Sequence, residues 1–163
     1  MKTLIIASTL ALSLVAPVAL AHGDEEHGAR QEKHAEGHAA GLGKPGDPAK
    51  ASRAIAVEMS DAMRYTPAKI KVKRGETIKF VVHNNGTLKH EMVLGTIKEI
   101  KEHAALMQKF PEMEHADPNM ASVEPGKTGE LLWQFTRAGT FTFACLQPGH
   151  FEAGMVGKIA VGR

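Results

Sequence analysis

Cys145, His150 and Met155 stand at equal steps of five residues in FACLQPGHFEAGM, and Cys145 is the one cysteine of the chain. Their side chains offer a thiolate, an imidazole and a thioether, which are soft-to-borderline ligands for a transition metal. A single cysteine cannot form an internal disulfide, so this thiol is a small buried hydrophobe, a link to another chain, or a reactive or metal-bound group. Two histidines and one cysteine in a trigonal set, with a distant methionine, make a site for copper. The segment supplies one histidine only, and the second must come from a neighbouring element.

The compartment bears on what the thiol can do. Met1 and Lys2 are followed by an apolar run from Leu4 to Leu20 and by the small-residue pattern Ala19-Leu20-Ala21. This reads as a secretory signal over residues 1–21, cleaved to leave His22 first and the protein in the periplasm. No later run is apolar for the roughly 20 residues a membrane span needs. The formal charge is +2, with no basic stripe and no interleaved aromatics, which excludes a nucleic-acid partner.

Residues 22–53 read HGDEEHGARQEKHAEGHAAGLGKPGDPAKASR, rich in glycine, alanine and charge and nearly devoid of large apolar side chains. Such a composition cannot offset the entropy of ordering and is expected to form a disordered arm. His22, His27, His34 and His38 make it either a loose collector of copper, nickel or zinc or a solvated linker. The remainder, residues 54–163, is long enough for one domain with a sizeable core.

That domain is expected to be all-β. Seven runs read as strands: Ala54 to Met59, Lys69 to Lys73, Thr77 to His83, Lys89 to Leu94, Glu130 to Phe135, Thr140 to Cys145 and Val156 to Val161. Arg74-Gly75, Asn84-Asn85-Gly86, Pro125-Gly126 and Ala138-Gly139 punctuate them as turns. The pattern predicts an antiparallel Greek-key β-sandwich. Ile70 and Val72 alternate with lysines, and Phe141 and Phe143 share a face with Cys145, which therefore points inward at a strand end. One helical insertion interrupts the rhythm. Thr96 to Glu99 has the form of a capping box, and Ile97, Ile100, Ala104 and Met107 follow at helical spacing until Pro111.

Five histidines fall outside the arm: His83, His90, His103, His115 and His150. His90 is the best second imidazole, because it lies in TLKHEMVLG, one strand on from the TIKFVVHNNG hairpin, where an inward ring can meet the end of the Cys145 strand. His83 sits at the mouth of a turn and is expected to be exposed, and His103 and His115 belong to the insertion. The pairing of LKHEMVLG with CLQPGHFEAGM, preceded by VKRGETIKFVV, resembles the cupredoxin family of small blue copper proteins over roughly residues 54–163. The spacing of cysteine, histidine and methionine is similar to the auracyanin and rusticyanin branch. Among family members, exported copper-tolerance proteins with histidine-rich amino-terminal arms are the most similar.

The resemblance implies one type 1 copper site with His90, Cys145, His150 and Met155 as metal ligands, shielded by Phe143, Leu146 and Phe151, and a redox partner docking near His150. It departs from the family at Glu91, where an asparagine that helps organise the site is often found. The usual hydrogen bonding to the cysteine sulfur therefore stays open. Met107, Met113, His115 and Met120 are read as helix stripe and gap filling, with an accessory Cu(I) site as the alternative. Met59, Met63 and Met92 add to the methionine excess. Two functions compete: a copper-tolerance protein that also transfers single electrons, favoured by the arm and the methionines, and a dedicated soluble electron carrier of a respiratory or photosynthetic chain. An enzyme is not expected, since no base and orienting group accompany the thiol. The protein is expected to be a monomer.

Overall fold

A computed structural model describes residues 41–113 and 115–163. The histidine-rich stretch of residues 22–40 and the apolar run before it lie outside the described residues. The strands are β1 (Gly43–Pro45), β2 (Arg53–Ser60), β3 (Arg64–Thr66), β4 (Lys69–Lys73), β5 (Thr77–Asn84), β6 (His90–Gly95), β7 (Met120–Val123), β8 (Thr128–Phe135), β9 (Gly139–Ala144) and β10 (Val156–Gly162), with one helix α1 (Ile97–Lys109) between β6 and β7.

They form two five-stranded sheets, one in the order β1-β8-β5-β2-β3 and the other β4-β10-β9-β6-β7. The alternation expected in β4 is present: Ile70 and Val72 are buried between exposed lysines. The inward faces of the two sheets meet in a core that includes Phe80, Trp133 and Phe135 from one and Phe141, Phe143 and Ile159 from the other. Met59 and Met92 are buried in that core and Met63 packs against it, so these three thioethers fill space.

The sandwich differs from the expected antiparallel one in two pairs. β2 runs parallel to β5 and β4 parallel to β10. The members of each pair are joined through the opposite sheet rather than by a hairpin, so the chain returns in the same direction. Three strands escaped the sequence pattern. β1 belongs to the stretch read as arm, yet Leu42 is fully buried and Gly43–Pro45 pairs with β8. Part of residues 41–53 is thus docked on the sheet through one large apolar side chain in a polar context.

The helix follows the sequence closely. Thr96 accepts from the backbone N–H of Glu99 while the Glu99 carboxylate accepts from that of Thr96, the reciprocal bonds of a capping box. Ile100, Ala104 and Met107 are buried, whereas Ile97 in the first turn is half-exposed and outside the stripe. The stripe covers the outer face of β6 and β9, forming a second apolar cluster with Val93, Ala144 and Leu146. Both faces of these two strands are therefore buried near their shared end. That double cover holds the start of β6 and the exit of β9 in place.

Candidate metal centre

His90 opens β6, Cys145 follows the last residue of β9, and Met155 precedes the first residue of β10. β9 pairs antiparallel with both β6 and β10, so all three positions fall at one end of the second sheet. The eleven-residue connection from Cys145 to Met155 is knitted to itself. The Cys145 N–H donates to the Met155 carbonyl at 3.2 Å and the Met155 N–H to the His150 carbonyl at 3.0 Å. Gly149 and Gly154 turn the chain at φ of 85° and 89°, a region where a β-carbon is strained.

Within this end three donor atoms converge. Cys145 Sγ lies 3.3 Å from His150 Nδ1 and 4.0 Å from His90 Nδ1, and the two Nδ1 atoms are 3.2 Å apart. Cys145 and His90 are fully buried and His150 is half-buried. Met155 is fully buried in the main core and reaches the cluster through its backbone bonds. Of the other histidines, His83 is half-buried on β5 with Nδ1 2.8 Å from the Thr128 hydroxyl, and His103 and His115 sit away in the insertion.

Two carboxylates support the cluster, and only one was singled out by the sequence. Asp61, in the turn between β2 and β3, meets His90 Nε2 at 3.0 Å, which turns the other ring nitrogen towards Cys145. It also accepts from the Thr87 N–H at 2.7 Å, the Thr87 hydroxyl at 2.7 Å and the Leu88 N–H at 3.3 Å. The Thr87 backbone bond, then its hydroxyl, hold the Asp61 carboxyl well below the usual carboxylate range. Gly86 is required beside it, since a β-carbon there would collide with the Asp61 carboxylate.

Glu91 answers the question left open at its position. Its backbone N–H points at Cys145 Sγ from 3.4 Å, while its buried carboxylate accepts from the Leu146 N–H at 2.9 Å and from the Gln147 amide at 3.3 Å. The side chain therefore clasps the two residues after the cysteine, and the sulfur receives a backbone N–H. Burial raises the Glu91 carboxyl above its ordinary value. The Tyr65 hydroxyl donates to the Glu91 carbonyl, and its ring meets Phe143 edge-on at 4.8 Å. Arg64 adds a third support, donating to the Ala153 carbonyl at 3.1 Å. Of the expected shielding residues, Phe143 lies in the main core, whereas Leu146 and Phe151 pack in the cluster under α1.

The donor chemistry fits copper. Burial pushes the Cys145 thiol up to about 12, so a thiolate forms here only when a cation replaces the proton. Burial, and then the His90 ring, lower His150 below its ordinary value, which keeps the imidazole neutral and able to ligate. One thiolate and two imidazoles are the ligand types of an electron-transfer copper site.

Residues 51–162 match the family of copper binding proteins described as plastocyanin/azurin. A copper-resistant cuproprotein CopI of Rubrivivax gelatinosus is 52% identical over 150 residues, covering 91% of each chain. One of the same name from Pseudomonas aeruginosa is 39% identical, over 76% of this chain and 84% of that one. Among solved structures, auracyanin B superposes with a TM-score of 0.63 at 18% identity, over 75% of this chain and 97% of its own. An azurin from Methylomonas sp. strain J gives 0.52 at 20% identity, over 69% and 100%. These structural likenesses concern the fold.

Proposed function

Since the chain belongs to the plastocyanin/azurin family of copper binding proteins, we propose that it is a periplasmic copper-tolerance protein with a single type 1 site. In this reading His90, Cys145, His150 and Met155 are the residues that would hold the copper. The observation that carries it is the buried convergence of Cys145 Sγ with the two Nδ1 atoms. Bound copper supplies a centre that alternates between Cu(I) and Cu(II). The protein's part is to hold the same ligand positions in both states, which the doubly covered strand ends and the clasp of Glu91 favour. His150 is the half-buried ligand and the side from which an electron enters or leaves. One-electron transfer, rather than catalysis, is the chemistry such a site performs.

Tolerance is favoured over a dedicated carrier by the two copper-resistant relatives and by the four histidines of residues 22–40. The amino-terminal residues 1–21 act as the export signal in this reading, and the histidine stretch collects metal for the domain. A truncation that tests the arm must stop before Leu42, which is buried against the sandwich. In a copper-sensitive bacterium lacking its own such protein, the full chain is expected to restore growth at raised copper. Cys145→Ser is expected to fail, and deletion of residues 22–40 to give partial tolerance. Full rescue by Cys145→Ser overturns the reading.

A further inference from the structure

A second group of metal-ligating side chains lies in the helical insertion. His103 on α1 and His115 in the following loop bring their Nε2 atoms to 2.9 Å, with ring centroids 4.7 Å apart. Asp117 places a carboxylate oxygen 2.9 Å from His115 Nδ1. That nitrogen is buried and, despite the short distance, is not aligned for a hydrogen bond. One ligand atom from each residue can be chosen so that all three lie within 4.8 Å of one another. Bonds of about 2.0–2.2 Å to nitrogen and oxygen span such a group after small side-chain shifts.

The two supporting segments are pinned independently. His103 follows the buried Ile100 on a capped helix. In the loop, buried Asn119 donates to the Leu94 carbonyl at 2.6 Å and accepts from the Leu94 N–H, and the Met120 N–H donates to Asp117. All three side chains are half-exposed, so an ion can reach them without opening the sandwich. A cavity of about 140 Å³ adjoins His115, lined also by Met107, Met113 and Met120.

We propose that His103, His115 and Asp117 form a second metal site, taking a divalent first-row ion and holding Cu(II) most tightly. Two imidazoles and a carboxylate, with no thiolate, are a borderline-to-hard donor set that suits Cu(II), Ni(II) or Zn(II), and the general affinity order places Cu(II) first. The misaligned Nδ1 and carboxylate make poor partners for each other and good partners for a cation. The site stands independently of the Cys145 centre and adds capacity without competing for it.

The test uses the chain from residue 22 with Cys145→Ser, His90→Ala and His150→Ala, and with His22, His27, His34 and His38 changed to Ser, so that neither the three converging donors of the first centre nor the arm contributes. Cupric ion alone is titrated, with bound copper and the electron paramagnetic resonance spectrum followed together. One Cu(II) per chain is expected, with a nitrogen-and-oxygen type signal. Adding His103→Gln and His115→Gln is expected to lower the affinity by more than the roughly 10–100-fold that loss of a group supporting a ligand costs. Absence of Cu(II) binding in the parent, or binding unchanged by the two substitutions, overturns the site and leaves the three residues as a tether of loop to helix. If the doubly changed chain does not fold, broadening of the His103 and His115 ring resonances by substoichiometric Cu(II) in the parent reads the same contact. Spared rings overturn the proposal. In a chain with Cys145 intact, the two glutamines are expected to leave the visible thiolate-to-copper band in place, which separates this site's failure from that of the first.

Discussion

Two pairs of imidazoles meet in the described part of this molecule, His90 with His150 at 3.2 Å and His103 with His115 at 2.9 Å. The first pair is fixed at the end of a doubly buried sheet, beside a buried thiol. The second bridges a helix and a loop, half-exposed, beside a carboxylate. Donor softness and burial therefore change together. A thiolate in a buried cluster suits an ion that changes oxidation state without rearrangement, whereas nitrogen and oxygen donors at the surface suit capture and release of a divalent ion. Similar ring contacts acquire different chemistry from the third donor and from what lies around it.

Substitutions at the two pairs should break the comparison in opposite directions. His90→Ala is expected to abolish the intense visible band altogether, while His115→Gln leaves it unchanged; absorption of the copper-loaded chains checks both. The carboxylates that touch each pair come next. Asp61→Ala removes the partner of His90 Nε2 and is expected to weaken copper at the first centre by about 10–100-fold. Calorimetric titration at one equivalent reads that change, and an unaltered affinity would show that Asp61 does not orient the ring.

Glu91→Ala strips the buried Leu146 N–H of its acceptor. It should cost about 1–3 kcal/mol of stability in the copper-free protein, measured by denaturant unfolding. A pH dependence is expected in the same copper-free protein. The folded Cys145 thiol keeps its proton up to about 12 from an ordinary value of 9.0, so stability should fall as pH rises through that interval. His150 refuses a proton below its ordinary 6.5 that the unfolded chain accepts, so stability should also fall as pH drops past that value. Chemical denaturation between pH 5 and 11 should find a maximum near neutrality, relative to a Cys145→Ala, His150→Ala chain.

Much of this was legible in residue types. Alternation with lysines announced β4, the Thr96–Glu99 pair announced the helix start, and the steps of five from Cys145 announced the loop whose donors converge with His90. What escaped has physical causes. β1, β3 and β7 are three or four residues long, too short for a period of two to show. β1 also carries Pro45 and lies in a stretch whose composition reads as unfolded. Asp61 is 29 positions from His90 and sits in an ordinary polar turn, so only the tertiary fold reveals its role. Glu91 looked like a departure from a family pattern, yet its side chain took over the loop while its backbone served the sulfur. His115 was grouped with the nearby methionines, and its actual partner, His103, lies across a helix-to-loop fold that spacing does not encode.

The most direct test of the account is X-ray absorption at the copper edge on the chain from residue 22 loaded with one equivalent of copper. One short sulfur scatterer and two nitrogen scatterers, with the sulfur lost in Cys145→Ser, are the predicted result. A first shell of nitrogen and oxygen alone in the unsubstituted chain would contradict it.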